Sequence, residues 1–105
     1  MTESEFAELA GKTLQQIETA LENSDAELDW ELAGDGILTI EFEDGSQIVI
    51  NKHSGVQEIW VAAKSGGFHY RWQDGQWLNT REGSELLADL SRVCSQQAGT
   101  PVSIG

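Results

Sequence analysis

The sequence has few of several residue types on which particular classes of protein depend. It contains one cysteine and one proline in 105 residues, and only 6 Lys and Arg against 18 Asp and Glu. A single cysteine excludes an internal disulfide and is typical of a reducing compartment. No apolar run approaches the roughly 20 residues of a membrane span, and the N-terminus lacks the basic start and apolar stretch of a signal peptide. We therefore expect a cytoplasmic bacterial protein, or a trimmed mature form.

The excess of acidic side chains is confined to the first part of the chain. Residues 1–44 hold 13 acidic side chains and one base, Lys12, so the whole net charge of −12 lies there. Such a field repels nucleic acid and anionic lipid, and it attracts cations and basic protein surfaces. We therefore expect neither a nucleic acid nor a membrane as a partner.

Two helices are predicted, one near each end of the chain. Thr2 and Glu5 have the spacing of a capping box, and apolar residues then recur at threes and fours up to Leu21. A second helical pattern is expected to begin near Gly83, and Gly99 is a typical helix-ending residue. Each helix has one apolar face, so each needs a second layer to pack against.

Between the helices, apolar and polar side chains alternate, which predicts about six antiparallel strands with one wet face each. Leu28, Trp30 and Leu32 are expected to face the core from the first strand. A turn is expected at residues 34–36, a hairpin at Asp44-Gly45, and the end of the third strand near Asn51. The predicted fold is a single α+β domain over residues 1–105, a two-layer sandwich with both helices on one face of the sheet.

Acidic side chains follow helical spacing and then strand spacing where the first helix is followed by the first strand. They would line one outward edge, and they are Glu18, Glu22, Asp25, Glu27, Asp29 and Glu31. Carboxylates suit Fe(II), Fe(III), Mn(II), Mg(II) or Ca(II), whereas zinc is disfavoured because no thiolate or imidazole joins them. An outward row cannot wrap an ion, so we expect weak, roughly micromolar binding completed by water. The alternative interpretation is a solvated, solubilising face.

Trp60 is predicted to point outward from the wet face of the sheet, because Ile59 and Val61 point inward. An outward Trp is typical of an interface anchor. The side chains expected around it are Asn51, Gln57, His69 and Arg71. The alternative is a Trp covered by the side chains of neighbouring strands.

The remaining candidates are weaker. His53 and His69 have no partner at metal-ligand spacing and are interpreted as surface histidines. Cys94 lies on the inner side of the second helix and is interpreted as a buried structural cysteine. No catalytic triad or phosphate-binding loop is present in the sequence, so we do not expect an enzyme.

Six segments, in this order, resemble a bacterial frataxin of the CyaY family. They are residues 38–46 (LTIEFEDGS), 50–51 (IN), 59–62 (IWVA), 66–70 (GGFHY), 74–77 (DGQW) and 96–99 (QQAG). The resemblance implies the same sandwich fold, iron binding on the six acidic residues, and regulation of iron–sulfur cluster assembly. The implied partners are a cysteine desulfurase and its scaffold protein. The resemblance implies that they are bound through Glu18 and Glu22 and through the residues around Trp60. One departure is Glu58, because this position before the Ile-Trp pair is commonly Gln in the family.

Two further functions remain open at this point. One is a ferroxidase or iron-storage activity, which would oxidise Fe(II) at the acidic edge. The other is an acidic protein-interaction module with no metal preference. Without iron we expect a monomer.

Overall fold

The computed structural model describes residues 1–26, 28–34 and 36–104. Within these residues, two helices flank six strands. The elements are α1 (Glu3–Glu22), β1 (Asp29–Ala33), β2 (Ile37–Glu41), β3 (Gln47–His53), β4 (Glu58–Ala63), β5 (Gly66–Gln73), β6 (Gln76–Asn79) and α2 (Leu86–Ala98). The strands form one antiparallel sheet in the order β1-β2-β3-β4-β5-β6, and the predicted α+β sandwich is confirmed.

The capping box that the sequence predicts starts α1. The Thr2 hydroxyl accepts a hydrogen bond from the Glu5 backbone at 3.1 Å, and the Glu5 carboxylate accepts one from the Thr2 backbone at 2.9 Å. The buried side chains of α1 then follow the helical period up to Leu21. The helix ends at Glu22, and Asn23 is its C-cap.

The second helix begins three residues later than the sequence pattern predicts. Gly83 is in the left-handed region with φ of +73° and belongs to a turn in which its backbone donates to Asn79. Helix α2 starts only after Glu85, whose carboxylate accepts from the backbone of Leu87 at 2.7 Å and Ala88 at 3.2 Å. The carboxylate thus satisfies amides that have no partner within the helix.

The core lies between the helices and the inner face of the sheet. Leu38, Ile40, Ile48, Ile50 and Ile59 are fully buried there. They share one cluster with the apolar faces of α1 and α2. The outer face of the sheet, on the other side, carries the alternate members of each strand, which are polar for the most part but include Val49, Trp60 and Ala62.

The residues predicted to face the core from the first strand are not fully buried: Leu28 and Trp30 are half-buried and Leu32 is exposed. Leu32 in β1 was expected on the apolar face, but it is 42% exposed. Strand β1 lies at the edge of the sheet, and within it Trp30 is only half-buried. The alternation therefore fixes the face of a residue correctly but not the extent of its burial at an edge.

Three residues on which predictions fell lie outside the described part of the chain. Glu27 belongs to the predicted acidic edge, Asp35 to the predicted turn, and Gly105 to the C-terminus. Among the helices that the structure does describe, neither is long and apolar enough to cross a membrane.

Candidate functional site

The first candidate surface is the acidic ridge, here Glu18, Glu22, Asp25, Asp29 and Glu31. Glu18 is half-buried, and the other four are exposed. Within the described residues none of the five has an ion-pair partner, and the nearest upstream acid, Glu8, pairs with Lys12 at 3.5 Å. The negative charge of the ridge is therefore uncompensated by side chains of the described chain.

The position of the ridge at the end of α1 strengthens its negative potential. Glu18 and Glu22 lie in the last turns of the helix, and no basic residue is present in the final turn. The carbonyl end of a helix carries a partial negative charge that favours a cation nearby. Two carboxylates at this end add to the dipole, so the local field attracts positive charge.

The ridge continues onto β2, which the sequence interpretation did not include. Asp29 lies directly opposite Glu41 in the antiparallel pair of β1 and β2. An open cleft of about 500 Å³ is lined there by Leu28, Asp29, Glu41, Phe42 and Glu43. Like charges opposite each other destabilise a strand pair, so this corner accumulates repulsion. Thr39 and Glu41 alternate with apolar residues in the sequence, which indicates that both lie on the wet face of the strand. Only the strand pairing places Glu41 beside Asp29.

The ridge is open rather than enclosing. No group of three or more His, Cys, Asp or Glu side chains in residues 1–26, 28–34 and 36–104 is arranged to hold a metal ion. Any cation on this surface would be held by one or two carboxylates with water in the remaining positions.

The second candidate surface is the middle of the outer face, around Trp60. Asn51, Trp60 and His69 lie side by side across β3, β4 and β5, and His53, Glu58 and Arg71 form the next row. Trp60 is half-buried while its neighbours Ile59 and Val61 are buried. The predicted outward direction of Trp60 is confirmed.

Two imidazole rings cover both faces of the Trp60 indole. The His53 ring stacks on one face with centroids 4.0 Å apart, and the His69 ring stacks on the other at 4.4 Å. The interplanar angles are 21° and 10°. Side chains of the two neighbouring strands therefore cover both ring faces of Trp60, as the alternative interpretation expects.

Strand β3 is longer than predicted, and this creates the stack. The third strand was expected to end near Asn51, but it continues to His53 and pairs His53 with Glu58. His53 is half-buried, and its Nδ1 atom is buried without a hydrogen-bond partner among the described residues. His53 therefore lies on the outer face of the sheet but is less exposed than His69, whose side chain is 49% exposed.

Glu58 is buried next to Trp60, which the sequence did not indicate. Its residue exposure is 6%. The Trp60 indole Nε1–H donates to its Oε1 at 2.8 Å, Arg71 donates to its Oε2 at 2.7 Å, and the His69 Nδ1 lies 3.7 Å from Oε1. Burial alone would raise the pKa of Glu58, but the hydrogen bonds from Trp60 and Arg71 outweigh burial and hold the pKa below its usual value.

The other predicted neighbours of Trp60 have different positions. Asn51 lies directly opposite Trp60. Arg71 is held by Glu58 and remains 64% exposed. Gln57 precedes β4 with φ of +53°, and its side-chain amide donates to the Met1 carbonyl at 3.0 Å. The structure therefore brings Asn51, His69 and Arg71 around Trp60, while the Gln57 side chain is engaged with the start of the chain.

Cys94 has the structural character that the sequence predicts. It is fully buried and unpaired. Burial raises the pKa of its thiol to about 12. A neutral, enclosed thiol is a poor nucleophile and metal ligand.

Comparison with known proteins finds similarity of the whole chain to one family. The family model described as Frataxin-like domain matches residues 1–100. A relative from Dechloromonas aromatica, named iron-sulfur cluster assembly protein CyaY, is 52% identical over 102 residues, which are 97% of each chain. A protein of the same name from Vibrio cholerae is 42% identical over 102 residues, again 97% of each chain.

Solved structures show the same fold. The frataxin from Psychromonas ingrahamii, a CyaY family protein, has a TM-score of 0.91 and 35% identity, and the match covers 98% of this chain and 97% of that one. A trimeric frataxin from the yeast Saccharomyces cerevisiae, complexed with ferrous iron, has a TM-score of 0.69 at 23% identity over 95% of this chain and 88% of the yeast chain. At that identity the likeness is one of fold.

Proposed function

This chain belongs to the frataxin-like family, and from that membership we propose that it takes part in iron–sulfur cluster assembly. Its role there is that of a non-catalytic, iron-binding regulator. The observation that supports this proposal most directly is the acidic ridge, whose five described carboxylates have no basic partner among the described residues.

The ridge is proposed as the iron surface. Fe(II) and Fe(III) favour carboxylate oxygen, and the end of α1 contributes negative potential to Glu18 and Glu22. Because the carboxylates do not converge, binding is weak, in the roughly micromolar range, and other divalent cations compete. Glu27 belongs to the proposed set by sequence, although it lies outside the described residues.

Two partner surfaces are proposed, one for each candidate site. The ridge, through Glu18 and Glu22, docks on a basic patch of a cysteine desulfurase, because opposite potentials steer and orient association. The surface of Asn51, Trp60, His69 and Arg71, with Gln57 at its margin, docks on the scaffold protein. Iron on the ridge would then alter docking on the desulfurase by neutralising the same charges.

A binding measurement with matched variants tests this function. Glu18→Gln with Glu22→Gln is expected to weaken desulfurase binding about tenfold or more and to weaken Fe(II) binding. The control, Asp74→Asn with Glu82→Gln, removes the same number of charges from exposed sites away from the ridge. Equal losses in both variants would show that only net charge matters, and the proposed docking site would be wrong.

Titration with Fe(II) and Mg(II), followed by amide chemical shifts, separates the remaining alternatives. Iron-selective shifts confined to residues 18–31 support the regulator. Oxygen uptake on adding Fe(II), abolished by Glu18→Lys with Glu22→Lys, would instead indicate a ferroxidase. Desulfurase binding without any metal preference would indicate a metal-independent acidic module.

We further propose that the protein is a monomer without iron and acts in the bacterial cytoplasm. The two relatives named CyaY, from Dechloromonas aromatica and Vibrio cholerae, are bacterial, and Cys94 is a free thiol. Sedimentation with and without Fe(II) tests the oligomeric state.

A further inference from the structure

An exposed Trp usually contributes to an interface in three ways. Its ring faces accept a cation or a stacked ring, its N–H donates a hydrogen bond, and its carbon perimeter makes apolar contact. In this protein the first two are already used internally. His53 and His69 stack on the faces of Trp60, and the indole N–H donates to Glu58.

Of these three contacts, only the hydrogen bond to Glu58 fixes the position of the indole within its own plane. Stacked rings at 4.0 and 4.4 Å restrict the tilt of the indole, but they allow it to slide in its own plane. The 2.8 Å bond from Nε1 to Oε1 removes that freedom, because a hydrogen bond to a charged acceptor is short and directional.

The carboxylate is itself held in place. Its second oxygen accepts from Arg71 at 2.7 Å, and its side chain is 8% exposed. A buried carboxylate with a fixed partner on each oxygen cannot rotate without losing one of them. The position of the indole therefore follows from the β4–β5 register, which places Arg71 directly opposite Glu58.

We infer that Glu58 is the positioning residue of the Trp60 surface, and that the partner contacts the carbon perimeter of the indole with an apolar or aromatic side chain. The inference rests on the proposed docking of a scaffold protein at this surface. In this arrangement Glu58 itself does not contact the partner. The arrangement also excludes a partner Lys or Arg stacked on the indole and a partner acceptor for the indole N–H.

The energetic advantage of such positioning lies in binding entropy. A side chain that is already fixed does not lose rotamer freedom when the complex forms, whereas a mobile side chain that becomes immobilised adds an entropic cost to binding. Removing the acceptor releases the indole and restores that cost to the binding step.

The test uses the indole N–H resonances of the free protein. Glu58→Ala is expected to shift the Trp60 indole resonance and to speed its exchange with water, because the acceptor is gone. Glu58→Gln keeps one oxygen that can accept from the Trp60 N–H, and its NH2 group then faces Arg71, whose 64% exposed side chain can turn to solvent. This variant is expected to leave both properties of the Trp60 indole near their wild-type values. The indole N–H of Trp77, which donates to Thr13 at 2.8 Å in the core, reports in the same spectra that the fold is intact.

Scaffold binding is then measured with the same variants. Glu58→Ala is expected to weaken the affinity about tenfold, and Glu58→Gln by less than about threefold. Glu8→Ala, an exposed acid on α1, whose apolar face packs into the core, is the control for the loss of a charge and is expected to bind as the wild type does.

Three results would overturn the inference. The Trp60 resonance could remain unchanged and protected in Glu58→Ala, or it could shift without any loss of affinity. Alternatively, Glu58→Gln could lose affinity as fully as Glu58→Ala with its indole resonance unchanged, which would show that the partner requires the charge itself. If the wild-type protein does not bind the scaffold, the proposed function fails, and the spectra of the free protein still decide whether Glu58 positions Trp60.

Discussion

Two carboxylates, Glu58 and Asp89, are buried in the described part of the chain, at 6% and 9% exposure. Burying a charge is costly unless donors surround it. Asp89 accepts from the Tyr70 hydroxyl at 2.8 Å and from the Ser84 hydroxyl at 2.7 Å. Burial and the Asp89 carboxylate together raise the pKa of Tyr70, so Tyr70 remains a donor. At the scale of single residues, each buried acid is therefore stabilised by a specific set of neighbours.

Tyr70→Phe is expected to lower the free energy of unfolding by about 1–3 kcal/mol, because it removes a donor from a buried carboxylate. Urea denaturation measures the change. Ser84→Ala removes the other donor to the same oxygen, but from a half-buried site that water reaches, and it should cost less. A Tyr70→Phe protein as stable as the wild type would mean that Asp89 does not depend on this bond.

Glu58 also predicts a pH dependence of stability. Its pKa is lower in the folded protein than the ordinary value of 4.5, so the folded state favours the ionised form. The resulting stabilisation is complete above about pH 4.5 and is lost as the pH falls through the folded pKa. Part of the acid destabilisation of the wild type should therefore be absent in Glu58→Gln.

Denaturation curves at several values between pH 3 and 7 measure this difference. The free energy of unfolding of the wild type should exceed that of Glu58→Gln near pH 7, and this difference should become smaller as the pH falls. A difference that stays constant over this range would show that the ionisation of Glu58 is not linked to folding.

At the scale of elements, the C-terminal tail is attached to α2 by two serines. The Ser95 hydroxyl accepts from the Val102 backbone at 2.9 Å, and the Ser91 hydroxyl accepts from the Ile104 backbone at 2.8 Å. Val102 and Ile104 are each 5% exposed and join the core cluster. Residues 102–104 thus extend the core although they form no helix or strand.

Ser95→Ala is expected to lower the free energy of unfolding by about 1–2 kcal/mol, because the backbone amide of Val102 loses its acceptor next to the core. Thermal or urea unfolding measures the change, and amide exchange should accelerate at Val102 and Ile104 before it does in the sheet. Ser103→Ala, at an exposed position of the same tail, is the control. Uniform acceleration throughout the chain would contradict a local attachment.

At the scale of the whole molecule, the net negative charge is concentrated in the first part of the chain. The net charge of −12 comes from residues 1–44, and the ridge collects much of it at the junction of α1 and β1. Repulsion among these groups is stronger in the compact state than in the unfolded chain. The surface proposed for function thus costs the protein stability.

Salt and divalent cations are therefore expected to raise the melting temperature. Salt at about 0.15 M screens charges over about 8 Å, and a cation that binds only the folded state stabilises it by mass action. Asp29→Asn, which removes one member of the Asp29–Glu41 pair, should raise the melting temperature in low salt and reduce the response to salt. A melting curve indifferent to salt, Mg(II) and this substitution would contradict repulsion at the ridge.

The sequence by itself determined the order of elements, the faces of the strands and the clustering of acids. These features follow from local periodicity, which depends on residues a few positions apart. The capping box of Thr2 and Glu5, the inward direction of Ile59 and Val61 and the outward direction of Trp60 are all confirmed. Cys94 was correctly interpreted as buried for the same reason.

Only the tertiary structure decided which side chains meet across strands. Glu58 is buried because β5 brings Arg71 and His69 to it, and Asp29 faces Glu41 because β1 pairs with β2. The length of β3, the exposure of Leu32 at the sheet edge and the docking of the tail have the same origin. Register and edge position depend on contacts between residues far apart in the chain, and no local pattern of apolar and polar residues contains them.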